Sequence, residues 1–137
     1  MRLGVLGFYA AAVVLAVAAA WTGGGFVLGK GTLTDAIITA AGASNVTGGN
    51  RALGFGNFDV ETLLKVDPDV LIQTDARFSE PTLQRQQGRH RVVRRLYADR
   101  TVFVPDTPFT CGLPQSADAA LALHQALRAI PPKEPRR

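Results

Sequence analysis

The stretch Asp59-Val60-Glu61-Thr62-Leu63-Leu64-Lys65-Val66-Asp67-Pro68-Asp69-Val70-Leu71-Ile72-Gln73 decides the fold. Asp59 is a helix-capping residue, and Val60, Leu63, Leu64 and Val66 give the short helix behind it an apolar side. Pro68 closes that helix, since proline cannot continue the hydrogen-bond ladder. Val70-Leu71-Ile72-Gln73 is then a short apolar run bounded by aspartate and proline, the pattern of a strand buried on both faces of a parallel sheet. Thr101-Val102-Phe103-Val104 repeats the pattern. Asp67 and Asp69 are explained by turn chemistry around the proline.

Working outward, Thr32 or Thr34 can cap a helix running to about Ala41, with Leu33, Ile37, Ile38 and Ala41 as its apolar stripe and Gly42 as its left-handed stop. Asn45 to Phe58 is glycine-rich and reads as irregular. A helical region spans about Pro81 to Ala98, interrupted near Gly88. The last helix starts around Ser116, turns Ala120, Leu123, Ala126, Leu127 and Ile130 inward, and ends at Pro131-Pro132. Strands alternating with helices predict an α/β, Rossmann-like single lobe: a short, mostly parallel sheet flanked by helices.

The 137 residues suit one domain with a real core. Apolar residues make up 47% and charged residues 19%, so the chain is globular, and only the tail 131–137 reads as flexible. The net charge of +4 comes mostly from arginine, much of it between Arg77 and Arg100. Nucleic-acid binding needs basic residues interleaved with stacking aromatics, and only Tyr97 lies nearby, so no nucleic-acid partner is expected. Arg91, Arg94 and Arg95 instead share one helix side by their spacing.

Residues 1–20 admit two readings. Leu3 to Trp21 carries no charge and, as a helix, would extend about 28 Å, close to a bilayer core, so a signal or membrane segment fits. Val13 to Ala20 fits equally well as a buried central strand, with a helix remnant before it.

Gly24 to Thr32 matches Gly-x4-Gly-Lys-Gly-Thr, which suggests a P-loop nucleotide-binding enzyme of the adenylate-kinase type, with Lys30 on phosphate and Thr32 on magnesium. Phe26, Val27 and Leu28 are bulky for such a loop, and a plain glycine turn competes with it. Ser44, Ser79 and Ser116 lack a nucleophile-elbow context, so no catalytic residue is expected. His90 and His124 have no ligand-spaced partner, Cys111 is the only cysteine, and no metal site or cofactor is expected.

Several ordered blocks are left: Gly-Lys-Gly-Thr-Leu with Ala-Gly-x-x-Asn, Val-Glu-Thr-Leu-Leu, Pro-Asp-Val-Leu-Ile, Val-Pro, and Thr110-Cys111-Gly112-Leu113-Pro114. As a set, over about residues 21–130, they resemble the C-terminal lobe of an ABC importer's periplasmic substrate-binding protein, of the cobalamin, haem and iron-siderophore class. The resemblance implies a non-catalytic solute-binding component in the periplasm or otherwise outside the cytoplasm, with residues 3–21 available as a membrane tether. Its partners would be permease subunits and a metal chelate such as cobalamin, haem or a ferric siderophore. It places Glu61 where the family docks a glutamate on the permease, and Phe55 where a residue faces the ligand cleft. Phe109, Thr110 and Cys111, after the last strand, are further ligand candidates, with Trp21 and Phe26 behind them. The N-terminal lobe of such a protein is absent here, so a lone lobe should bind ligand weakly or not at all.

Overall fold

The computed structural model describes residues 17–21, 26–48, 55–57, 59–74, 90–131 and 133, and of Phe26, Phe55 and Asn57 the backbone only. Its centre is a four-stranded parallel sheet in the order β3-β1-β5-β6. The strands are β1 Val17–Ala20, β3 Ser44–Asn45, β5 Val70–Thr74 and β6 Thr101–Val104. The register sets Ala18 against Asn45 and Val70, Ala20 against Ile72, and Ile72 against Val102. A separate antiparallel ribbon pairs β2, Phe26–Leu28, with β4, Phe55–Asn57.

This is the α/β architecture expected from the alternating elements, with helices on both faces of the sheet. The strand expected ahead of Trp21 is present at Val17–Ala20, inside the sheet. Ala18 and Ala19 are wholly buried on opposite faces, where small side chains let helices pack closely. Residues 1–16 lie outside the described part. Among the described residues, no helix is long and apolar enough to cross a membrane.

Helix α1, Leu33–Ala40, starts at Thr32, whose hydroxyl accepts the Asp35 N–H at 3.2 Å, and ends before Gly42 at φ 84°. Helix α2, Val60–Val66, starts at Asp59, whose carboxylate accepts the Thr62 N–H at 2.7 Å. It is Asp67 that ends α2, not Pro68: Asp67 takes the left-handed conformation at φ 49°, and Pro68 is buried behind it. Asn45 to Phe58 is more regular than its glycines suggest, holding β3, a 3₁₀ turn at Val46–Gly48, and β4. Strands of two or three residues are too short to show a period.

Helix α3, Arg91–Tyr97, is capped by His90, whose Nδ1 accepts the Val92 N–H at 3.4 Å. It is the described part of the helical region expected over 81–98, and residues 75–89 lie outside the description. The segment after β6 forms a short helix, α4 Asp106–Thr110. Helix α5, Gln115–Ala129, buries Leu123 and half-buries Ala119, Ala120 and Leu127.

Two cores result. On one face α1, α4 and α5 enclose Ala18, Ala20, Ile37, Ile38, Ile72, Val104, Phe109 and Leu123. On the other α2 and α3 enclose Ala19, Trp21, Leu63, Leu71, Val93 and Tyr97, with Val27 of the ribbon. Each fully buried Val, Leu, Ile or Phe side chain contributes about 1.5–3 kcal/mol of transfer free energy, so these faces rather than surface ion pairs hold the lobe.

Candidate functional site: the carboxyl edge of the sheet

Two hydrogen bonds fix which end of the sheet is which. Asp69 binds Val17 at the start of β1 twice, its N–H donating to Val17 O at 2.8 Å and its carboxylate accepting the Val17 N–H at 2.9 Å. The end of α2 is therefore at the amino edge. Thr34, in the first turn of α1, donates to Phe109 O at 3.2 Å, which joins the start of α1 to α4 just past the carboxyl end of β6. The carboxyl edge carries the β2–α1 turn, α4 and the loop to α5, and open parallel sheets place ligands at this edge.

The expected ligand residues divide here. Thr110 and Cys111 are exposed at this edge. The Thr110 hydroxyl is 2.9 Å from Asp106 O and 3.2 Å from the Asp106 carboxylate, which fixes α4 as one turn. Ser116 supports the following loop from below, its hydroxyl 2.8 Å from Pro108 O and 3.2 Å from Cys111 O.

Phe109 and Trp21 do not offer a ligand surface in this lobe. Phe109 is 3% exposed and Trp21 0%, and they pack into different cores on opposite faces of the sheet. A large aromatic at a strand end is drawn into the core wherever helices cover both faces, because burying it releases more apolar area than any other local choice. The side chains of Phe55 and Phe26 lie outside the described part, while their backbones pair directly opposite ribbon partners, Phe55 with Leu28 and Phe26 with Asn57.

Glu61 is in the first turn of α2, its side chain 74% exposed. Its carboxylate is 2.8 Å from Lys65 Nζ one turn on, a surface pair worth about 0.3–0.5 kcal/mol and readily exchanged for another cation. Beside it, hydrogen bonds from the Thr62 side chain and N–H hold the Asp59 carboxyl below its ordinary value.

Of the phosphate-loop reading of Gly24 to Thr32, Gly24 and Gly25 lie outside the described residues, and the described part, 26–32, speaks against it. Phe26–Leu28 is a strand with Val27 buried, not a loop curling round an anion. The Gly31 N–H donates to the Asp35 carboxylate at 3.2 Å, so a fixed negative charge sits where phosphate would go. The Thr32 hydroxyl donates to Gly29 O at 2.8 Å and accepts the Asp35 N–H at 3.2 Å, so it is engaged as the cap of α1.

Sequence reasoning assigned no role to Asn45, which ties the edge together. Its amide donates to Leu28 O at 3.1 Å and to Asp35 Oδ1 at 3.0 Å, and its Oδ1 accepts the Thr47 N–H at 3.2 Å. Ribbon, α1 and the 3₁₀ turn thus meet on one side chain. The only available signal was its place in the Ala-Gly-x-x-Asn block. At the amino edge, the Tyr97 hydroxyl lies 3.3 Å from Asp67 Oδ1, and Lys133 Nζ lies 2.6 Å from both Asp67 Oδ2 and Asp67 O. Lys133, within the expected flexible tail, is therefore held. His124 Nδ1 lies 2.9 Å from Ala41 O, a structural contact, and among the described residues no cluster of His, Cys, Asp and Glu could hold a metal.

The fold is one Rossmann-like α/β lobe, a short parallel sheet with helices on both faces. No protein-family model and no curated protein matches the sequence. Among solved structures, the apo periplasmic heme-binding protein RhuT of Roseiflexus sp. RS-1 superposes with a TM-score of 0.64 at 19% identity, over 82% of this chain and 45% of that one. The ABC-type Fe3+-hydroxamate transport protein of Saccharomonospora viridis gives 0.62 at 21% identity, over 83% and 42%. The molybdate-binding MolA of Haemophilus influenzae gives 0.58 at 21%, over 83% and 35%. The chain thus spans less than half the length of the structures it resembles, and shares the fold of the part it covers.

Proposed function

We propose that the chain is the C-terminal lobe of an ABC importer's solute-binding protein for a metal chelate, haem, a ferric siderophore or cobalamin, and that Glu61 docks it on the permease. The observation that carries this is the superposition of over four-fifths of the chain on periplasmic heme-binding and Fe3+-hydroxamate transport proteins. The exposed position of Glu61 in a first helical turn supports the docking role, since the helix dipole favours a carboxylate there while leaving it free to meet a guanidinium. The work of such a lobe is binding and hand-over, not bond making, and its place is extracytoplasmic.

At the ligand edge this lobe contributes Thr110 and Cys111, with Phe55 as the aromatic candidate. An open wall of this kind buries little of a flat chelate, so the chain alone binds hemin or ferric hydroxamate more weakly than micromolar. Saturable, micromolar or tighter binding in a Soret titration overturns the half-cleft reading. Docking is tested in the protein's native cells with a photo-crosslinking residue at Lys65, one turn from Glu61. Adducts with a polytopic permease that vanish on Glu61→Lys support the role. Permease adducts indifferent to that change remove Glu61 from it, and no permease adduct at all removes the importer reading.

A further inference from the structure

The α3 side of the sheet carries an unusual combination. Arg91, Arg94 and Arg95 are all exposed, and no ion pair engages them among the described residues. On a helix they span about 100° of arc, and Val92 and Leu96 form the shoulder next to them, 41% and 39% exposed. Only Val93 and Tyr97 point into the core.

Phe103 belongs to the same side. It lies opposite Gln73 in the β5–β6 register, two residues beyond the Leu71–Thr101 pair, so it shares the sheet face of Leu71 and hence of α2 and α3. It is 68% exposed, on the edge strand. Among the described residues, the acidic groups on the elements of this face are Asp59 and Glu61 of α2, the latter paired with Lys65, Asp67 beside Tyr97, and the exposed Asp99 beyond the end of α3.

Arginines beside exposed aliphatic and aromatic side chains match the two layers of a membrane interface, phosphate outside and acyl chain beneath. We propose that this face, Arg91, Arg94 and Arg95 with Val92, Leu96 and Phe103, rests on an anionic phospholipid surface. Guanidinium groups bind phosphate bidentately and stay charged at all working pH values, so arginine suits headgroups better than lysine would. The proposal stands independently of the import reading.

The test is co-sedimentation of the whole chain with phosphatidylcholine vesicles, with or without phosphatidylglycerol. Binding is expected only with the anionic lipid, and to fall away as salt rises. The triple change Arg91→Gln, Arg94→Gln, Arg95→Gln should weaken it roughly 100-fold, from about fivefold per arginine, and Phe103→Ser should lower what survives at moderate salt. Far-UV circular dichroism checks that these surface variants fold. Absence of binding to anionic vesicles at low salt, equal binding to zwitterionic vesicles, or an unaffected triple variant overturns the proposal. Protein that ignores vesicles but is captured by an acidic protein face also overturns it, since the occupant would then be a different one.

Discussion

Trp21 separates two pictures of this lobe, because a ligand-facing tryptophan and a core tryptophan respond oppositely to removal. The side chain is 0% exposed and shares its core with Val27, Leu63, Leu71, Val93 and Tyr97. The backbone N–H of Trp21 lies in the sheet ladder, donating to Ile72 O at 3.0 Å, and the residue bridges to Val27 of the ribbon. Truncating a buried aromatic to alanine removes its transfer free energy and leaves a cavity, about 3–5 kcal/mol together. A domain of this size is stable by about 5–15 kcal/mol in all. With a urea slope of about 2 kcal/mol/M, the midpoint of Trp21→Ala should fall by about 1.5–2.5 M. The assay is urea unfolding followed by far-UV circular dichroism, with Thr110→Ala as the exposed control, expected within about 0.5 kcal/mol of wild type. Trp21→Phe, which keeps most of the apolar volume, should fall between them. A loss under about 1 kcal/mol for Trp21→Ala would refute the burial argument.

Three further outcomes follow from single contacts. Asn45→Ala should cost about 1–3 kcal/mol in urea unfolding, because Leu28 O and Asp35 Oδ1 lose a shared donor; a loss near zero would remove Asn45 as the edge's tie. Gly42→Ala should cost about 1–2 kcal/mol from the positive φ alone, since the nearest atom to an added Cβ, His124 Nδ1, is an ordinary 3.8 Å away; Gly42→Asn, which tolerates that conformation better, should recover part of the loss. Asp59 has its folded-state pKa lowered below the ordinary 3.8, so its contribution is present above that value and is lost as pH falls below it. Asp59→Asn should keep the cap and flatten stability between pH 4 and pH 2 relative to wild type, and an unchanged acid slope in the variant would show that other carboxyls carry it.

Much of the fold was legible because its signals are local. Thr32 and Asp59 are caps that act within three residues, Gly42 is a left-handed stop, and Val70 to Thr74 and Thr101 to Val104 are apolar runs that only a doubly covered sheet can bury. The β2–β4 ribbon was not legible. Its pairing joins residues nearly thirty positions apart through strands of three, with a glycine at the centre of one, so neither periodicity nor propensity marks it. Of the candidate site residues, Thr110, Cys111 and Glu61 are exposed, as polar or small side chains on short helices and loops commonly are, but whether Trp21 and Phe109 face a cleft or a core depends on how far helices cover the strand ends, which no local pattern encodes.

The polar ties are distributed so that each edge of the sheet is held by different chemistry. At the amino edge, Asp69 grips Val17, and Asp67 gathers Tyr97 and Lys133, which joins α2, α3 and the chain's last described residue to the start of β1. At the carboxyl edge, Thr34, Ser116 and Asn45 satisfy backbone carbonyls of Phe109, Pro108, Cys111 and Leu28. Pro108 and Phe109 lie in α4, Cys111 opens the loop after it and Leu28 ends β2, and backbone tied by side-chain donors in this way keeps its shape without a ligand. Under the proposed function, such an edge is a preformed wall rather than a closing lid. If so, hydrogen exchange of Phe109 to Gly112 should be as slow in the chain alone as when hemin is added, and a ligand-induced slowing of that segment by more than about tenfold would show that the wall is assembled on binding instead.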